Sequence, residues 1–214
     1  MINTVELIGH YGGDLTHALS AWTSTSRELT DEKRERIPAL LKMLAEKGHE
    51  TPFEKSCIHF LVTLDQASHI HTLKHRIAVA TNGESARYKE LKEDKFYLPA
   101  DWIGIKNQSE DEDWHTTLLK FTEMANRLYH QALAELTPVL GRKRAKESAR
   151  FFKTMNSQIT LDVMFNWRSF AHFLHLRNND AAQKEINEIS DAMLQIAKKI
   201  EGNPFEHTIK AFGL

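Results

Sequence analysis

Apolar positions recur along this chain at two different periods, and the switches between them mark out its elements. Val5-Glu6-Leu7-Ile8 reads as a short strand stopped by Gly12-Gly13, and from Asp14 to about Thr25 the pattern is helical. Thr30 stands as an N-cap before a second helix, in which Ile37, Leu40, Leu41, Met43 and Leu44 form the apolar stripe and Gly48 marks the end. Gly48-His49-Glu50-Thr51-Pro52-Phe53-Glu54 is polar and carries a proline, so it reads as a loop. The β-branched and aromatic run Cys57-Ile58-His59-Phe60-Leu61-Val62-Thr63-Leu64 predicts a largely buried strand. Asp65 or Ser68 can cap the helix that follows, which is expected to carry His69, His71, Lys74 and His75. Residues 92–112 read as loop. Trp114 to Leu136 is predicted as one long amphipathic helix ending before Pro138. A basic helix around Arg142-Lys143-Arg144 leads into Arg150-Phe151-Phe152, and residues 166–176 and 181–200 are again helical in period. The expected class is α+β, with few strands and mostly helix.

Composition narrows this picture without redirecting it. With 214 residues and no repeat or Pro/Gly-rich linker, one domain spanning residues 1–214 is expected. A net charge of −1 provides no global field to recruit nucleic acid, so any anion site must be local. No apolar run approaches the roughly 20 residues of a membrane span. The N-terminal Met-Ile-Asn-Thr-Val-Glu-Leu-Ile lacks the basic start and apolar core of a signal peptide. A lone cysteine, Cys57, fits a reducing compartment, the cytoplasm or, for a viral source, the host cytoplasm.

Candidate chemistry sits in two places. From Lys74-His75-Arg76 through Asn82, Ser85 and Arg87, cations, an imidazole, an amide and a hydroxyl are crowded into one stretch. Like charges repel, so such a cluster points to an anion such as phosphate; the plainer alternative is a solvated helix end. The second place is Asn166 to Arg177, where helical spacing puts Arg168, His172 and His175 on one face. That face could instead pair with the acidic residues near 185–191. Two histidine pairs, His71/His75 and His172/His175, raise zinc, but the neighbouring Lys74, Arg76, Arg168 and Arg177 would repel a metal ion, and no metal is expected. Neither Cys57 nor Ser85 has the surroundings of a nucleophile.

With those clusters in place, the chain resembles the flavin-dependent thymidylate synthases. The signature of that family reads Arg-His-Arg-x-x-Ser-x-Asn-x-x-Ser-x-Arg. Lys74-His75-Arg76 and Asn82-x-x-Ser85-x-Arg87 correspond to its two halves. The 48–54 loop, and Arg150 followed by Asn166-x-Arg168 and Leu174-x-Leu176-Arg177, resemble two further family blocks in the same order. The resemblance implies an α+β (α/β) fold with an antiparallel sheet flanked by helices, in a homotetramer that holds FAD at subunit interfaces. It implies methylation of dUMP at C5, with methylenetetrahydrofolate as carbon donor, reduced FAD as hydride source and NADPH as reductant. By position, Thr51, Lys74, His75, Arg76, Asn166, Arg168 and His172 would contact FAD. His71, Lys74, Gly83, Glu84, Ser85, Ala86, Arg87 and Arg150 would line the nucleotide pocket. Arg177 would lie against the uracil edge and favour ionisation at N3, which raises electron density at C5 without a protein thiol.

The chain departs from the family pattern at several of these positions. Lys74 replaces the first arginine, Val79 stands where serine is expected, and one extra residue lies between Arg76 and Asn82. His71 occupies the usual glutamine position, Gly83 that of an acidic residue and His172 that of an asparagine. These changes admit two alternatives: C5 methylation or hydroxymethylation of another pyrimidine nucleotide (UMP or dCMP), or a nucleotide-binding homologue without catalysis.

Overall fold

In the computed structural model, which describes residues 2–214, four strands form one sheet. They are β1 (Thr4–Tyr11), β2 (Cys57–Asp65), β3 (Val79–Gly83) and β4 (Gln158–Asn166), in the order β1-β2-β4-β3. Neighbours run antiparallel. The Asn166 amide donates to the Ala78 carbonyl and the Glu84 amide to that of Thr160, so numbers rise along β3 as they fall along β4. Asp162 facing His59 and Ser157 facing Gln66 give β2 and β4 the same relation. The antiparallel sheet flanked by helices that the family resemblance implies is therefore present.

Burial follows the pleat. Ile58, Phe60, Val62 and Leu64 of β2 are buried on alternate positions, as are Ile159, Leu161, Val163 and Phe165 of β4. Neither β3 nor β4 is among the strands expected from sequence. β4 carries a readable period-two row. β3 carries almost none, because four of its five residues are exposed and it exists by pairing with β4.

The helices are α1 (Asp14–Trp22), α2 (Asp31–Glu46), α3 (Gln66–Thr72), α4 (Trp114–Leu140), α5 (Arg142–Ala149), α6 (Trp167–Arg177), α7 (Lys184–Lys198) and α8 (Glu206–Ala211). Thr30 caps α2 as expected, accepting from the Lys33 amide at 3.3 Å, and Gly48 follows its end with φ +68°. Asp65 caps α3 through the Ser68 amide at 2.8 Å. Several boundaries move: β1 extends to Tyr11, α1 ends at Trp22 rather than about Thr25, and α7 starts at Lys184 rather than Ala181. α3 stops at Thr72, so Lys74 and His75 lie in the turn beyond it rather than on the helix. α4 continues through Pro138, whose missing N–H falls in the last turn, and closes at Gly141. There φ is +77° and the amide donates to Thr137 O.

Contacts divide the described chain into two compact units. The first contains the chain up to Thr4, Thr63–Ile70 and Gly83–Leu161. Tyr129, Leu133, Ala145 and Ala149 form a core between α4 and α5, with Leu91 against it. Lys153 is almost fully buried there. Its ammonium donates to Asp94 (2.7 Å) and Asn126 (2.8 Å) and lies 4.3 Å from the Tyr129 ring centroid, while His130 holds the second Asp94 oxygen.

The second unit contains Val5–Val62, His71–Asn82 and Asp162–Leu214. Its centre is aromatic: Phe165 packs on Phe170 and Phe173, Phe60 on Phe170, and Trp167 stacks on Phe205. A buried polar chain runs beside it. His17 contacts Ser56 Oγ (2.7 Å) and Thr208 Oγ1 (2.9 Å), and Thr208 donates in turn to Asp14. Asp14 also accepts the His207 and Thr208 amides, which docks α8, a helix with no sequence signal of its own. Burial holds the His17 pKa down to about 4. The family resemblance spans both units.

Candidate active site

One face of α6 forms a wall of a cleft of about 730 Å³ in the second unit. The helix is started by Asn166, whose side chain accepts from the Ser169 amide at 2.9 Å. Phe170, Ala171, Phe173 and Leu174 bury the opposite stripe, which leaves Arg168, His172 and His175 on the cleft side. The expected single face is thus realised.

Residues 74–79 form the facing wall. They are tied to the start of α6 by two bonds, Asn166 N to Ala78 O (3.3 Å) and Ser169 Oγ to Ile77 O (2.7 Å). Ala78 adopts φ +51°, a left-handed conformation that costs a residue with a Cβ roughly 1 kcal/mol. The two anchors hold it there and deliver Lys74, His75 and Arg76 to the cleft. Glu50, Glu54 and Phe212 complete the lining. None of these three is readable as a site residue from sequence alone. For the two glutamates, a spacing of four across the 48–54 loop is the only available signal. Phe212 reaches the site through α8 and a 3.0 Å contact between His175 and its carbonyl.

The charges are unevenly paired. Arg168 Nε meets Glu50 at 2.7 Å and its Nη1 meets Glu54 at 2.7 Å. The acidic residues near 185–191, expected as possible partners for this face, take no such part. Both carboxylates of the cleft are therefore engaged by one arginine. Among the described residues Lys74, Arg76 and Arg177 have no carboxylate partner, so the remaining field is positive. Arg177, the last residue of α6, donates from Nε to His75 Nε2 at 3.1 Å. A guanidinium donates only, so His75 must be neutral with its proton on Nδ1. Burial, then the charges of Arg177, His172 and His71, hold its pKa down to about 4, in keeping with that role. Of the four histidines considered for zinc, His71 contacts Gln183 at 3.1 Å, His75 accepts from Arg177, His175 contacts the Phe212 carbonyl, and His172 borders the His75 ring at 6.0 Å between centroids.

Of the residues expected at FAD, Lys74, His75, Arg76, Asn166, Arg168 and His172 line this one cleft, together with Arg177. Thr51 opens a short 3-10 turn, Thr51–Lys55, between the two lining glutamates and is itself exposed. His71 lies outside the lining.

Gly83, Glu84, Ser85, Ala86, Arg87 and Arg150 belong to the first unit. Glu84 is tied to β4 through Thr160 and to Lys89 at 2.6 Å. Ser85 Oγ accepts from the Arg87 amide at 3.3 Å, a short serine turn. Arg87 rests on Glu147 at 3.4 Å, and Arg150 is exposed at the start of the 3-10 turn Arg150–Phe152. A Cβ on Gly83 would make only ordinary contacts, so its backbone does not demand glycine.

A family model described as Thymidylate synthase complementing protein matches residues 6–201. The flavin-dependent thymidylate synthase of Thermosipho melanesiensis is 31% identical, over 96% of this chain and 90% of its own length. That of Pseudothermotoga lettingae is 30% identical, over 92% and 85%. Among solved structures, the UMP/dUMP methylase PolB from Streptomyces cacaoi bound with 5-Br dUMP superposes with a TM-score of 0.78 at 24% identity. That match covers 99% of this chain and 94% of the other.

Proposed function

The chain belongs to the family of flavin-dependent thymidylate synthases, and from that premise we propose that it converts dUMP to dTMP by reductive methylation at C5. The observation that carries this reading is the convergence of Lys74, His75, Arg76, Asn166, Arg168, His172 and Arg177 on one positive cleft. Methylenetetrahydrofolate is the carbon donor and NADPH the reductant in this reading, and one domain operates within a homotetramer in a cytoplasmic setting. No helix among the described residues is long and apolar enough to cross a membrane.

The residues fit a bound FAD. Its pyrophosphate needs cations without carboxylate partners, which Lys74 and Arg76 supply, and a cleft of this size falls within the range of small-molecule sites. When bound, the flavin supplies the hydride. Arg168, braced by Glu50 and Glu54, is pre-oriented to meet the cofactor without searching rotamers. Asn166 fixes the start of α6 and so the position of every residue on its cleft face. Ser85 and Arg87 present a hydroxyl and a guanidinium for the nucleotide phosphate, joined by Arg150. Arg177 bears the negative charge of the uracil ring ionised at N3. That charge spreads over N3, O2 and O4 and makes C5 the nucleophile.

The test is direct. Purified protein reconstituted with FAD should show a flavin spectrum. With NADPH, methylenetetrahydrofolate and dUMP it should yield dTMP, identified by mass. Failure to bind flavin would sink the reading. UMP and dCMP in the same assay separate the alternative substrates, and product mass separates methylation from hydroxymethylation.

A further inference from the structure

Arg177 has two edges on which it can bind a planar anion, and the structure uses only one. Its Nε–H is spent on His75 Nε2 at 3.1 Å, while no contact within the chain engages its two terminal nitrogens among the described residues. We infer that His75 is a positioning residue that takes up the lateral edge of Arg177 and thereby presents the terminal Nη1/Nη2 edge to the pyrimidine. This inference rests on the substrate reading above and assigns His75 a task separate from any contact with flavin.

The geometry supports it from three sides. The His75 ring is gripped edge-on by Phe173, with centroids 5.0 Å apart at 77°, and borders His172 at 6.0 Å. The His75 amide donates to Thr72 O, so the backbone behind the ring is also fixed. The charged and titratable groups around the ring are Arg177 and His172 from α6, His71 from α3, and Lys74 and Arg76 on its own segment. None is a carboxylate that would stabilise an imidazolium. The ring therefore stays an acceptor, which an arginine Nε–H requires.

The consequence for recognition is specific. A terminal guanidinium edge offers two parallel N–H donors, spaced for two adjacent acceptors. A uracil ionised at N3 presents such a pair, N3 and a neighbouring carbonyl oxygen. The neutral base presents N3–H, a donor facing a donor. Fixing Arg177 by its side thus favours the ionised ring over the neutral one, whereas a loose arginine could turn its other edge or bind a carbonyl alone.

The experiment follows 5-fluoro-dUMP bound to the FAD-saturated protein by fluorine NMR across pH, which reads ionisation at N3. Three proteins are compared: the wild type, His75→Leu, which removes the acceptor, and His75→Gln, whose side-chain oxygen stands near the Nε2 position. The wild type should lower the N3 pKa of the bound probe by about one unit relative to free probe. His75→Leu should abolish most of that shift and lower kcat about 30-fold. His75→Gln should restore the shift. An unchanged shift in His75→Leu overturns the inference, as does a loss in both variants with no rescue. No binding of the probe to the wild type would remove the substrate reading and the inference with it. Binding with normal dTMP formation but no shift would keep the activity and overturn the inference alone.

Discussion

Arg177 and His17 represent two kinds of single residue here, one proposed for chemistry and one that bears on stability. Arg177→Ala removes the only cation proposed to meet the pyrimidine ring. Turnover should fall about 100-fold while the flavin spectrum and melting temperature stay near wild type, because its side chain anchors no core. Steady-state kinetics beside a thermal melt check both halves. His17 is fully buried and neutral, with its pKa lowered from 6.5 to about 4. The unfolded chain takes up the proton first, so this contribution to stability is complete above about pH 6.5. It is lost progressively as pH falls towards 4 and amounts to about 3 kcal/mol. His75, lowered to about 4 as well, adds to the same window. Urea unfolding at several pH values should therefore show stability falling between about pH 6.5 and 4, and a His17→Asn variant should show a shallower slope.

Among the elements, the Lys153 anchor and β2 carry distinct loads. Lys153 is the buried counter-charge of Asp94 and lies beside the core that receives Leu91, so it pins the segment leading out of Ser85–Arg87. Lys153→Met keeps most of the apolar stem and removes the charge. About 2–3 kcal/mol of stability should be lost, and trypsin should cut sooner at Lys89, Lys92 and Lys95, as mass spectrometry of the fragments would reveal. Phe60 on β2 has no exposed surface and packs on Phe170, so Phe60→Ala should cost about 4 kcal/mol in denaturant unfolding. The elements also show where sequence patterns run out. The row at 58, 60, 62 and 64 announces β2, whereas the comparable row of β4 is not among the expected strands. The short β3 has only the hydrogen bonds of its neighbour to define it, and α8 depends on the carboxylate of Asp14.

At the scale of the whole molecule the exposed surface of α4 bears on assembly. α4 leaves Phe121, Met124 and Leu128 exposed at spacings of three and four, an apolar stripe on the outside of a helix whose other face is buried. The proposed homotetramer gives that stripe a partner. Met124→Glu should shift the protein to a smaller species by light scattering, and should lower activity if neighbouring copies complete the site. Unchanged mass would place the interface elsewhere.

The sequence by itself determined the family, the main helices, strands β1 and β2 and the residue types of the site. Those features are local: apolar period, capping side chains and motif spacing are written within a few turns of the chain. Tertiary structure decided which of these residues work together. Glu50 and Glu54 lie more than a hundred positions from Arg168, and His75 is equally remote from Arg177, yet each pair sits within hydrogen-bond distance. Helical period could suggest acidic partners near 185–191 for the α6 face, but only the path of the 48–54 loop could supply the actual ones. The same holds for the cationic stretch that begins at Lys74. Its charges are plain in the sequence, while its left-handed turn at Ala78 and its two bonds to α6 exist only in the folded chain. Local periodicity fixes what an element is. Pairing between distant segments fixes what the site can bind, because a charge acquires direction only when a remote partner holds it in place.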